Sequence, residues 1–254
     1  MVRKLLTAVV PSILLIVTMS LPVAVGTGEA LADEFQLLAV SYRAAESGKP
    51  GYVGRFKQYH KKSNKLGVGS VVLIAPSWAV TAGHVVAFKL KNPNGGKSEV
   101  LFAGSKVERL GTKIHKAKGV DLALLQLERP IGTKSVKPVA VMASGFTAKD
   151  GRVKFTSIGR SGVHRGRYGH GTGEGFSHSK GKDGTRPGKA GDSGGAWVVE
   201  RDKGKPDVLF AIIHGGGRGP QLGPLKQWVD TVVQRNGEKV LWVAKSEVKP
   251  AATK

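Results

Sequence analysis

The feature that most restricts this chain is the order of three short peptides. Thr81-Ala-Gly-His84 comes first, Asp121-Leu-Ala-Leu-Leu125 second and Gly191-Asp-Ser-Gly-Gly195 third. A histidine, an aspartate and a serine in such settings are what nucleophilic acyl transfer requires. Serine is a weak nucleophile at its own pKa, so an imidazole must take its proton. A buried carboxylate must then hold that imidazole in the right tautomer. Glycines on both sides of Ser193 let the backbone turn N–H groups toward a developing oxyanion.

Gly191-Asp-Ser-Gly-Gly195 alone also fits the nucleophile elbow of α/β-hydrolases, where acid and histidine follow the serine. Only 61 residues follow Ser193 here, with His214 their one histidine, so that order is excluded. The order His84, Asp121, Ser193 resembles the trypsin-like (chymotrypsin-fold) serine proteases. Gly69-Ser-Val-Val-Leu-Ile-Ala-Pro-Ser-Trp-Ala-Val80 is similar to the family's strand leading into the histidine. Asp121-Leu-Ala-Leu-Leu-Gln-Leu-Glu-Arg-Pro130, Val136-Lys-Pro-Val-Ala-Val141 and Phe155-Thr-Ser-Ile-Gly159 resemble the following strand, the inter-barrel crossing and the start of a second barrel. The resemblance covers roughly residues 67–236. It implies an all-β fold of two six-stranded antiparallel β-barrels with a C-terminal α-helix.

The residues themselves agree with that class. Val68 to Val141 holds short β-branched runs broken by Gly, Pro and Asn, with Pro93-Asn-Gly-Gly96 as a hairpin turn. Ala196-Trp-Val-Val199 and Val208-Leu-Phe-Ala-Ile-Ile213 read as strands of the second barrel. Gly-rich sequence from Gly159 to Gly191 reads as long surface loops, with His164, His170 and His178 solvated. Those three histidines match no metal-ligand spacing, so no metal and no cofactor are expected. The alternating glycines of 169–175 lack the strand-to-helix context of a dinucleotide fingerprint. Pro224–Arg235 reads as a helix whose Leu225, Trp228, Val229, Val232 and Val233 face the core, with Gly237 at its end.

The chain begins with Arg3 and Lys4, then an apolar run from Leu5 to Val25, then Ala30-Leu-Ala32. This is the pattern of a signal peptide cleaved near Ala32, which predicts a secreted protein; an uncleaved anchor is the alternative. The expected organisation is residues 1–32 signal peptide, 33–66 an N-terminal segment that includes propeptide, 67–245 the protease-like domain, and 246–254 a disordered basic tail. There is no cysteine, whereas relatives secreted by animals usually carry disulfides, so a bacterial exported enzyme is expected. The net charge of +22 attracts polyanions such as acidic wall polymers or anionic lipid. The basic residues are spread along the chain and aromatics are only 6% of residues, so weak surface association is expected and specific nucleic-acid binding is not.

The resemblance assigns roles by position. Ser193 is the nucleophile, His84 the base and Asp121 its orienting carboxylate, with the oxyanion hole formed by the N–H groups of Gly191 and Ser193. Pro187, Gly188, His214 and Gly216 fall on the primary specificity pocket. Pro187 stands where a carboxylate would select Lys or Arg. Ile212-Ile-His-Gly-Gly-Gly217 is similar to a stretch of glutamyl endopeptidases, in which the histidine helps bind an acidic side chain; Lys189 or Arg218 would assist. Asp192 supports the site. In relatives it pairs with a freed amino terminus, but the usual Ile-Val-Gly-Gly start is missing. A buried arginine or lysine, or no processing at all, are the alternatives. The functional expectation is a monomeric serine endopeptidase acting on protein or peptide substrates. A non-catalytic polyanion-binding protein on the same fold and an esterase are the alternatives.

Overall fold

Strands buried on both faces read as continuous apolar runs, and this chain has several. The computed structural model describes residues 49–60, 65–86, 99–102, 107–132, 136–178, 189–199, 201 and 205–248, and only the backbone of 58–60, 65–67 and 107–112. Six strands form the first layer: β1 (Val53–His60), β2 (Lys65–Ala75), β3 (Trp78–Thr81), β4 (Glu99–Phe102), β5 (Val107–Lys116) and β6 (Ala123–Leu127). They close into a barrel in the order β1-β2-β3-β6-β5-β4, because β1 pairs antiparallel with both β2 and β4.

The second layer holds β7 (Ala140–Met142), β8 (Val153–Gly159), β9 (Gly162–Thr172), β10 (Gly175–His178), β11 (Ala196–Val199), β12 (Val208–Ile212), β13 (Arg218–Pro220) and β14 (Trp242–Val243). Their order is β13-β10-β9-β8-β11-β12-β7-β14, eight strands where the sequence reading expected six. The late strand β14 joins parallel to β7 and enlarges the sheet.

The period-two alternation of a strand explains the apolar runs. In β2, Val71 and Leu73 point into the first barrel beside Phe56 and Phe102, while Val72 and Ile74 face the other way. There they join Leu122 and Leu124 from one half and Ile158, Val198, Leu209 and Ile212 from the other in one shared core. A second aromatic core fills the eight-stranded sheet, with Phe146, Phe155, Phe176, Phe210 and Trp197 in tilted and edge-to-face contacts. Such geometry is favoured by the ring quadrupole.

Four expectations need correction. The protease-like domain begins before residue 67, because β1 lies within the supposed N-terminal segment and closes the barrel. The glycine-rich stretch contains β9 and β10 instead of loops alone. Glycine serves there as a spacer: a Cβ on Gly171 would collide with the Phe146 carbonyl oxygen. His178 is buried, not solvated. The ordered chain also runs past the expected start of the tail at residue 246. Lys245–Glu247 forms a 3-10 turn, Lys245 pairs with Asp150 at 2.7 Å, and Val248 is buried. The expected Pro93–Gly96 turn, the expected signal peptide at residues 1–32 and residues 249–254 lie outside the described residues.

The helix matches its expectation. A 3-10 turn at Gly223–Leu225 leads into α1 (Lys226–Val233), another follows at Gln234–Asn236, and Gly237 ends it with φ 73°. Val229, Val232 and Val233 are buried in the shared core.

His178 yields a prediction about stability. Arg167 Nη1 lies 3.0 Å from its Nε2, and an arginine can only donate, so Nδ1 carries the ring proton and donates to the Tyr168 carbonyl at 3.1 Å. Burial pushes its pKa down; the bond to Tyr168 partly opposes this, and Arg167 adds to the lowering. Burial, followed by nearby cations, lowers His115 and His164 as well. Below about pH 6.5 the unfolded chain therefore binds protons that the folded chain refuses. Stability is full above that pH and is lost as the pH falls. Thermal melts should show Tm declining from pH 7 to pH 5, and His178→Gln should flatten the decline; an identical slope in the variant would refute the assignment.

Candidate active site

Three loops at strand ends meet where the two layers abut. His84 follows β3 in the turn beyond Ala82, and Asp121 sits between β5 and β6. Around it the Ala117 N–H donates to the Leu122 carbonyl (2.9 Å), and the Leu122 N–H to that of Val120 (2.8 Å). The carboxylate holds His84 twice. The His84 backbone N–H donates to Oδ1 and ring Nδ1 to Oδ2, each at 2.7 Å. Because an ionised carboxylate only accepts, the ring proton resides on Nδ1 and leaves a lone pair on Nε2. The expected role of His84 as base would use that lone pair.

Ser193 stands in a loop without regular structure that is held at several of its carbonyls. Lys189–Asp192 is a type II turn: the Asp192 N–H donates to the Lys189 carbonyl (3.0 Å), and Gly191 at the third position has φ 91°. Only glycine adopts that conformation without strain, and it orients the Ala190–Gly191 peptide opposite to a type I turn. Among the described residues the Gly191 and Ser193 N–H groups have no hydrogen-bond partner, which leaves both available to an oxyanion. Their carbonyls are held by Ser70 of β2, whose N–H donates to the Ser193 carbonyl (2.7 Å) and whose Oγ donates to that of Gly191 (2.9 Å). Thr81 Oγ1 in turn donates to the Ser70 carbonyl at 2.7 Å.

Asp192 is buried and fully partnered. Oδ1 accepts the Ser161 N–H, while Oδ2 accepts the Ser161 hydroxyl and the Lys189 N–H, each at 2.6 Å. The expected amino terminus or buried basic side chain is replaced by neutral donors; Lys189 contributes its backbone and not its ammonium. Sequence reasoning missed Ser161 and Ser70, since a serine beside a glycine turn and a serine within a strand carry no local mark of such roles.

His214 departs from its expected place. Its ring turns to the triad: Nε2 lies 3.3 Å from Asp121 Oδ2, and its centroid is 5.2 Å from that of His84. Its carbonyl accepts the Ser193 hydroxyl at 2.9 Å, so Ser193 Oγ is bonded there and not to His84. Hydrogen bonds between a nucleophile and its base often tighten only with substrate present. Gly216 is exposed in the turn between β12 and β13, where Arg218 N–H donates to the Gly215 carbonyl at 3.0 Å. Pro187 and Gly188 lie outside the described residues.

A family model described as Trypsin matches residues 53–225, from the first residue of β1 into the turn before α1, and spans His84, Asp121 and Ser193. No curated protein matches the chain as a relative.

The Ser70 bonds generate a prediction. Ser70→Ala removes the hydroxyl that fixes the Gly191 carbonyl but keeps the backbone bond to Ser193. One neutral hydrogen bond is worth about 0.5–1.5 kcal/mol, so kcat should fall roughly 3- to 10-fold with KM little changed. Steady-state kinetics on a chromogenic ester or peptide would check this, and an unaltered kcat would remove Ser70 from the positioning machinery.

Proposed function

We propose, since the chain belongs to the trypsin family, that it is a serine endopeptidase that works through His84, Asp121 and Ser193. The observation that carries this reading is the paired grip of Asp121 on His84, which presents Nε2 as a base beside the Ser193 loop. In the reaction Ser193 Oγ leaves the His214 carbonyl, passes its proton to His84 Nε2 and bonds to the substrate carbonyl carbon. The oxygen of that carbonyl becomes an oxyanion, accepted by the N–H groups of Gly191 and Ser193. Collapse returns the carbonyl, and His84 gives its proton to the departing amine. Water then attacks the acyl-enzyme by the same route, with His84 again as base.

The same chemistry would cleave esters, so an esterase shares every catalytic step. A purely polyanion-binding protein would not need the Asp121–His84 arrangement or the free N–H pair, and that favours the peptidase. The N-terminal sequence supports export with cleavage near Ala32, and the charge of +22 supports weak adherence to anionic surfaces.

A fluorophosphonate probe should label Ser193 covalently, and Ser193→Ala or His84→Ala should each lower kcat by about 10⁴-fold or more without unfolding the protein. Normal hydrolysis by Ser193→Ala would sink the proposal.

The substrate preference we propose is for an acidic side chain before the scissile bond. With the His214 ring engaged at Asp121, the recognition falls chiefly to cations. Lys189 is exposed two residues before the oxyanion glycine, and Arg218 is exposed in the segment whose carbonyl accepts the His214 N–H. In a fluorogenic peptide library varied at that position, Glu and Asp should lead; leadership by Leu, Phe, Lys or Arg would rule the preference out.

A further inference from the structure

We propose that His84, Asp121 and His214 together form a binding site for a zinc-like divalent cation that reversibly silences the enzyme. This goes beyond the proposed reaction, whose steps call for no metal. It rests on an arrangement that the His84–Asp121 pair alone would not create. Asp121 Oδ2 lies 2.7 Å from His84 Nδ1 and 3.3 Å from His214 Nε2, so one carboxylate oxygen is shared by two imidazoles. One ligand atom from each of the three residues lies within 4.8 Å of the others. At zinc–ligand bonds of about 2.0–2.1 Å, the ligand atoms of a tetrahedral site stand roughly 3.3–3.5 Å apart. The His214–Asp121 separation of 3.3 Å already matches that spacing, and the His84–Asp121 pair, at 2.7 Å, must part to admit the ion.

The donor set suits the ion. Two imidazoles and one carboxylate are borderline donors that favour zinc, cobalt or copper over magnesium or calcium, which prefer all-oxygen shells. Access is open, because the His84, Asp121 and His214 side chains are 45%, 26% and 51% exposed. The carboxylate is already braced for the role, its Oδ1 accepting the His84 backbone N–H at 2.7 Å. Such outer hydrogen bonds orient a ligating group. The His214 backbone is likewise anchored, its N–H donating to the Arg218 carbonyl at 3.1 Å. Three protein ligands leave a fourth tetrahedral position to water.

Inhibition follows from proton accounting. Neutral His84 carries its proton on Nδ1 and a lone pair on Nε2. When the cation takes Nδ1, that proton moves to Nε2, and the ring then has no lone pair to accept the Ser193 proton. No proton need leave the protein, and removal of the ion restores the original tautomer.

The test uses the mature protein as Ser193→Ala, so that binding is read without turnover or self-cleavage. Equilibrium dialysis against zinc at pH 7.5 should find one ion per chain. Cobalt in its place should give the intense visible absorbance of a four-coordinate site. His214→Gln should weaken zinc at least 10-fold, Asp121→Asn should weaken it comparably, and His170→Gln, on exposed β9, should change nothing. With the wild-type enzyme, zinc should inhibit hydrolysis and a chelator should restore it. Zinc binding undetectable up to millimolar concentration, or equally tight in His214→Gln, overturns the proposal. Because dialysis reads no catalysis, these outcomes are distinct from failure of the peptidase reading: an inactive protein that binds zinc through His214 upholds the site, and an active one that does not refutes it.

Discussion

Catalytic geometry in this fold depends on how the loop carrying Ser193 is latched to the first barrel. The base and its carboxylate arise from one layer and the nucleophile from the other, so the triad exists only in the register between them. Ser70 sets that register at two points, binding the Ser193 carbonyl through its N–H and the Gly191 carbonyl through its hydroxyl. Behind the loop, Gly194 N–H donates to the Ile213 carbonyl, Ile213 N–H to that of Gly195, and Gly195 N–H to that of Asp192. The bonded Asp192 carbonyl puts the Ser193 N–H on the opposite side of its peptide plane, and that group and the Gly191 N–H have no hydrogen-bond partner among the described residues. An oxyanion at this place would supply the acceptor that both lack.

Asp192 shows how the same loop is stabilised without a charge partner. A buried carboxylate is costly unless its lone pairs are filled. Ser161 and the Lys189 backbone fill them with three short bonds, all from within the second layer. Relatives that rely on a freed amino terminus make this arrangement conditional on cleavage. Here the donors belong to segments folded beside the loop, Ser161 between β8 and β9 and Lys189 before β11.

The order of His84, Asp121 and Ser193 and the strands leading into it were legible in the sequence, because both signals are local. An apolar run such as Val71–Ile74, rich in β-branched residues, reads as a strand buried on both faces, and the shared core bears this out. The helix beginning at Pro224 was legible from its period and its terminal glycine. β9 and β10 were not, since their glycines are spacers demanded by distant groups such as the Phe146 carbonyl. Nothing in the local pattern distinguishes that use from a loop. β1 was hidden for a related reason: Arg55 and Lys57 are buried in it, so charge masked the alternation. The turn of His214 toward Asp121 was illegible because it joins residues far apart in sequence, and a motif fixes a backbone position without fixing where the ring points.

The uneven charge of the chain gains a structural meaning from where its carboxylates go. Only 18 acidic side chains face 40 basic ones. Many of the described acidic groups serve as fixtures of the fold. Asp150 accepts from Thr147 and Lys245, Asp207 from Tyr52, and Asp230 from Trp242 and Lys226. Glu238 accepts the Ser77 N–H, while Asp121 and Asp192 are taken up by the site itself. An acid committed to a fixed donor is local in its effect, whereas a lysine or arginine left in solvent contributes to a field that reaches about 8–10 Å at physiological salt. Carboxylates held in this way keep their charge but are fixed in place, and the excess of basic side chains, +22 over the whole chain, is the long-range term that an approaching anion would meet first.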